Sequence, residues 1–155
     1  VVPMLTADAI DDLIFLRETV ESRLASHAAE KITAQDIAAL EKIDGQVDEA
    51  ITRGDVSAYL RQNYAFHAKL YAVANAPILM DVANSVWLRF GPSMRVVCGR
   101  MGTQNLPDNH KTALDALKAK DGQATADAMR EDVVQGMEQI RAALLDGTAF
   151  SDTID

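Results

Sequence analysis

The residues able to do chemistry in this sequence are few, and their spacing brings several of them together. Asn63 and His67 lie four apart, in a segment whose apolar positions are Val56, Tyr59, Leu60, Phe66, Leu70 and Tyr71. On a helix both fall on that apolar face, about 6 Å from each other. His110 stands on a second apolar stripe with Ala113, Leu114 and Leu117, and Asp132 on a third with Met129, Val133, Met137 and Ile140. The turn between these two stripes falls at Asp121, eleven residues after His110 and eleven before Asp132. An antiparallel helix pair therefore sets the imidazole and the carboxylate at one height. Together the four offer two imidazoles, a carboxylate and an amide oxygen. Such donors suit a borderline divalent cation such as zinc, nickel or manganese, and the residue types do not choose among them.

An inward histidine is, taken singly, more often a hydrogen-bonded core residue than a ligand. An inward aspartate with no cation or ion partner costs several kcal/mol. Four inward polar residues on three helices tilt the balance toward a shared site. Arg17 interrupts the first apolar stripe between Ile14 and Val20, and counting back through the turns sets it at the same height. A guanidinium beside a cation clamps a small carboxylate. A structural ion pair with Glu21, four residues on, explains it equally well. Gln139, seven residues after Asp132, either adds a polar contact to the same ligand or is a boundary residue. His27 belongs to another layer, about 15 Å along the axis from Arg17. Cys98 reads as a partly buried thiol in a loop or at a helix end, and Trp87 as core or interface packing. No Glu-x-x-His precedes any histidine, which argues against a di-iron carboxylate bundle. P-loop, dinucleotide and nucleophile-elbow patterns are absent too.

The elements that carry these residues are helical throughout. A first helix runs from a Thr6 cap to about Ala29, and a second from a Thr33 cap to Gly54. Asp55 caps a third that ends near Ala74, with Asn75 suited to a left-handed terminus. Pro77 sits in the first turn of a fourth, which Gly91-Pro92 kinks or ends. Cys98 to Pro107 reads as a loop. Asp108 caps a short fifth helix ending near Lys120, Asp121-Gly122 turns the chain, and a sixth runs to about Asp146. Loops this short impose an all-α antiparallel bundle of six to seven helices.

Composition narrows the partners. The 155 residues carry 15 Lys+Arg against 23 Asp+Glu, a net charge of −8. An acidic chain of this kind lacks the basic face that nucleic acid requires. The longest uncharged stretch, Leu70 to Met80, is too short to span a bilayer. One cysteine forms no internal disulfide, so a cytoplasmic, reducing setting is expected. The length suits one domain over residues 1–155.

Taken in order, the segments resemble a known family. Asn63-Tyr-Ala-Phe-His67, then Leu70 and Asn75-Ala-Pro, is similar to the D-x-x-F-H … N-x-x-L signature of the FCD domain, the effector-binding C-terminal domain of FadR-subfamily, GntR-type transcription regulators. His110-x-x-x-Leu114-x-Ala116-Leu117, followed by Asp121, Ala128-Met129 and position 132, resembles its second block. Arg17-Glu18-Thr-Val-Glu21 resembles its R-x-x-L-E opening. The likeness runs from about Phe15 to Ile140. It implies a helical, dimerising domain with a divalent metal on Asp, His, His and His, which fall here at Asn63, His67, His110 and Asp132. The sequence departs at both ends, with Asn for the first Asp and Asp for the last His. The family's effectors are mostly small organic acids, in keeping with Arg17. Its winged-helix DNA-binding domain does not fit ahead of Thr6, so the chain reads as the C-terminal part of a longer regulator that meets DNA only through that missing domain.

The expectation is thus an effector-sensing homodimeric domain with no membrane partner. Two alternatives are a metal-dependent helical-bundle enzyme and a bare dimerisation module with a structural polar core.

Overall fold

A computed structural model describes residues 5–101 and 109–151 of the chain. Among them there are six helices and no strand: α1 (Ala7–Lys31), α2 (Ala34–Arg53), α3 (Val56–Val73), α4 (Pro77–Met101), α5 (His110–Lys118) and α6 (Gly122–Ser151). Local chemistry sets most of the boundaries. Thr6 Oγ1 accepts from Ala9 N–H at 3.2 Å. Thr33 and Asp36 form a reciprocal capping box, each side chain accepting from the other's backbone N–H at 3.1 Å. Gly54 ends α2 at φ +67°, in the left-handed region that glycine enters without a Cβ clash. Asp55 then caps α3 through Ala58 N–H, and Asn75 takes φ +51° after it.

Three expected boundaries are corrected. Helix α4 passes through Gly91-Pro92 and Cys98 and reaches Met101. Pro92 removes one backbone hydrogen bond. The helix persists because Phe90, Met94, Val97 and Cys98, spaced by helical turns around it, are all buried. Cys98 is therefore a fully buried helix residue, and burial pushes its thiol up to about 11. The expected Asp108 cap and most of the expected loop lie outside the described residues. The residue before α5 is Asn109, which makes no side-chain capping bond. Helix α6 runs on through Gly147 to Ser151.

Neighbouring helices α1 and α6 run antiparallel. Arg141 near the end of α6 meets Asp11 at the start of α1, while Gly122 at the start of α6 lies against Ser26 near the end of α1. Tyr64 bonds Asn84 and Arg95 bonds Ser57, which sets α3 antiparallel to α4. The apolar core falls into two clusters. One gathers Leu24, Phe66, Leu70, Leu114 and Met129. The other gathers Ile10, Leu13, Tyr59, Phe90, Met137 and Ile140. Along α1, α3 and α6 the chain passes from one cluster to the other through buried polar residues. A polar layer divides the core.

Candidate metal and ligand site

Arg17 and Glu21 bring a guanidinium and a carboxylate into that layer from α1. They form a buried ion pair, Nε to Oε2, at 2.6 Å. Glu21 Oε1 also receives the Tyr71 hydroxyl proton at 2.8 Å and lies 3.2 Å from His67 Nδ1. The Trp87 indole N–H donates to the same oxygen at 3.4 Å. Burial raises the Glu21 carboxyl, but the Arg17 charge and the contact with His67 outweigh it and hold the group down at about 2. Burial and the Glu21 charge push the Tyr71 phenol well up, so it stays a hydrogen-bond donor.

The other nitrogen of His67 faces the opposite carboxylate. Its Nε2 lies 2.9 Å from Asp132 Oδ2, and His110 Nε2 approaches the same oxygen at 3.6 Å. Asp132 Oδ1 accepts from Asn109 N–H at 3.2 Å. Burial drives the Asp132 carboxyl up, and hydrogen bonds from His110 and His67 overcome this, holding it far below the usual carboxylate range. His110 is clamped from behind. Its Nδ1 lies 3.3 Å from Asp44 Oδ1, and its ring stacks on Phe66 at 3.9 Å. Lys111 Nζ reaches Asp44 Oδ2 at 3.2 Å and Asp48 at 2.9 Å. Burial raises the Asp44 carboxyl, and His110 and Lys111 together bring it below its ordinary value.

Each histidine thus has a carboxylate behind Nδ1 and turns Nε2 toward Asp132. At 2.9 Å from the carboxylate oxygen, Nε2 of His67 either carries a proton and donates a hydrogen bond or shares a cation with it. Three buried carboxylates, Glu21, Asp44 and Asp132, stand against the buried Arg17 and the exposed Lys111, which is shared with Asp48. The donors of His67, His110 and Asp132 all lie within 4.8 Å of one another. Tetrahedral bonds of about 2.0 Å put neighbouring ligands about 3.3 Å apart, so small movements would close this set on a zinc-sized ion. The residues fit a divalent cation in both donor type and charge, and the carboxylate–histidine arrangement is the one that orients metal-bound imidazoles.

Of the residues singled out in the sequence, Asn63, His67, His110 and Asp132 are all buried. Asn63, Asp132 and Arg17 line one small pocket, together with Trp87, Phe90 and Met94. Arg17 lies in the same polar layer and is paired with Glu21. Gln139 is half-buried on α6 and is not one of the residues lining that pocket. Spacing alone missed Asp44 and Trp87, and gave Glu21 only as the ion-pair partner of Arg17. Glu21 follows Arg17 by one turn and precedes Leu24 and Ala28 on the same stripe, and Asp44 sits between Leu40 and Val47 on the α2 stripe. Inward position was a usable signal for both. Trp87 gave none, since an aromatic at helical spacing has the pattern of core packing. Its ring lies 4.7 Å from the Arg17 guanidinium carbon and 5.1 Å from the His67 ring.

A helical bundle with a polar layer of histidines and carboxylates across its core is the architecture to be matched. The family model of the FCD domain matches residues 12–135, and the chain belongs to that family. It is similar to the HTH-type transcriptional regulator McbR of Escherichia coli (strain K12), with 27% identity over 139 residues, covering 88% of this chain and 63% of McbR. The chain therefore spans less than two thirds of that regulator's length. The solved structure of E. coli McbR/YncC shares the fold, with a TM-score of 0.86 at 24% identity over 91% of this chain and 72% of that one.

Proposed function

We propose that this chain is the effector-sensing domain of a GntR-type transcription regulator, holding a divalent cation and a small organic acid in its polar layer. The observation that carries the reading is the convergence of His67, His110 and Asp132 donors from α3, α5 and α6 within 4.8 Å. Zinc, nickel or manganese would bind there on these three side chains, with the Asn63 amide oxygen as a further donor. The metal would supply a Lewis-acidic contact for an effector carboxylate. Arg17 holds the other side of that carboxylate. Membership of the FCD domain family and likeness to an HTH-type regulator support this role, with DNA met by a separate N-terminal domain. The setting proposed is cytoplasmic; no helix among the described residues is long and apolar enough to cross a membrane.

Sensing follows from which helices the acid touches. Arg17 belongs to α1, while the cation donors belong to α3, α5 and α6. An acid bridging them draws on Arg17's pairing with Glu21 and favours one packing of α1 over another. Only such differential affinity can shift a conformational equilibrium. The domain works as a homodimer, so a shift in α1 alters the spacing of the attached DNA-binding domains. The enzyme reading needs a base free to take a proton. Glu21 is held by Arg17 and Tyr71, and Asp44 by Lys111 and His110.

The test is metal analysis and thermal melting of protein purified without added metal and then given zinc chloride. About one zinc per chain is expected, lost in His67→Ala and in His110→Ala, and released on acidification because the ligand imidazoles must be neutral. An effector acid at one hundred times its Kd adds about 2.7 kcal/mol of stability. Zinc retained by both variants, with no response to any organic acid, would overturn the reading.

A further inference from the structure

The narrow pocket beside Arg17, Asn63 and Asp132 has a volume of about 20 Å³. That is room for a water molecule or a bare ion, since one water occupies about 10–15 Å³ of such space. A carboxylic acid does not fit without a wall moving. Four of the pocket's walls, Asn63, Trp87, Phe90 and Met94, also line a surface groove between α3 and α4 with a volume of about 910 Å³. Of its remaining four walls, Tyr59 is buried, Gly136 has no side chain, and Arg17 and Asp132 are fixed by buried ion pairs and hydrogen bonds.

Trp87 is the wall best able to give. Phe90 is buried and Met94 nearly so, whereas Trp87 is half-buried and faces both spaces. Its inner attachments are a long 3.4 Å hydrogen bond to Glu21, the stacking of Arg17 and ring contacts with His67 at 5.1 Å and Phe90 at 4.8 Å. Outside, its ring meets Tyr64 edge-on at 5.3 Å, and Tyr64 in turn bonds Asn84 across the groove at 3.3 Å. The groove's apolar lining includes Leu60, Pro92 and the 79% exposed Leu88, and its basic lining is Arg61 and Arg95.

We propose that Trp87 is the movable partition between the buried site and the α3–α4 groove, and that the effector is a monocarboxylic acid whose apolar body lies in that groove. This rests on the acid-binding reading above. The carboxylate reaches Arg17 as the indole swings outward, and the chain beyond it replaces water over Leu60, Leu88 and Pro92. Arg61 and Arg95 draw the anion to the mouth.

Trp87 is the chain's single tryptophan, so its emission reports on the partition alone. The zinc-loaded chain is titrated with straight-chain monocarboxylates from acetate to octanoate, with octanol as a control, following fluorescence and melting temperature. The expected results are an emission change on binding and a Kd that falls about fourfold per added methylene, with octanol inert. Leu88→Asp, at an exposed position that the fold does not need, should weaken octanoate roughly tenfold more than acetate. Acids that stabilise the chain equally at every length, with unchanged Trp87 emission, overturn the partition and groove while leaving the acid site standing. Octanol binding as well as octanoate does also overturns it. A chain that binds neither zinc nor any acid overturns both readings.

Discussion

At the residue scale, the polar layer works because each charged group is held by another. Glu21 is ionised against burial by Arg17 and His67, so its carboxyl titrates near 2 rather than at its ordinary 4.5. A depressed carboxyl contributes stability that is complete above about pH 4.5 and is lost as pH falls toward 2. Metal-free protein should therefore lose about 2 kcal/mol more than Glu21→Gln between pH 6 and pH 3 in urea titrations. Parallel curves for the two proteins would mean that Glu21 is not held by these partners. Asp44 acts through His110. Its carboxylate behind Nδ1 keeps Nε2 turned to Asp132, so Asp44→Asn should weaken zinc about tenfold to a hundredfold in chelator competition. Unchanged affinity would show that the imidazole does not need this support.

At the element scale, the helices are set by local signals that owe nothing to the site. Thr6, Thr33 and Asp55 cap three successive helices, and Gly54 turns the chain between α2 and α3. A Cβ at Gly54 would meet no atom within 4 Å, so any penalty there is purely that of a left-handed backbone. Gly54→Ala should lower stability by about 1 kcal/mol, read as the urea midpoint, with zinc stoichiometry unchanged. These caps were legible because each is decided by a residue and the three that follow it. The length of α4 was not. Pro92 argues locally for a break, and only the burial of Phe90, Met94 and Cys98 on neighbouring helices overrides it.

At the scale of the whole molecule, every helix contributes to one layer: Arg17 and Glu21 from α1, Asp44 from α2, His67 from α3, Trp87 from α4, His110 from α5 and Asp132 from α6. A ligand there touches the packing of the entire bundle, as a sensor requires. The proposed dimer must use a face that this layer leaves free. Phe15 is 67% exposed and Ile78 is 79% exposed. A further apolar hollow between α1 and α4 is lined by Leu13, Leu16, Val82 and Val86. Large exposed apolar side chains of this kind mark association surfaces. Sedimentation equilibrium should give twice the chain mass, and the mass of one chain for Phe15→Asp with Leu16→Asp. A monomer before mutation would remove the dimer from the reading.

The amino-acid pattern by itself determined that the chain is helical, where most helices start, and that Arg17, Asn63, His67, His110 and Asp132 turn inward, because hydrophobic periodicity and capping act over a few residues. The equal distances of His110 and Asp132 from their shared turn even set those two at one height. The tertiary structure decided the rest. It assigned Glu21 and Asp44 to the backs of the two imidazoles, made Trp87 a wall of the site, and left Gln139 outside the pocket. Those outcomes depend on how far each helix slides and rotates against its neighbours, a quantity fixed by side chains distant in the chain and invisible to spacing along any one of them.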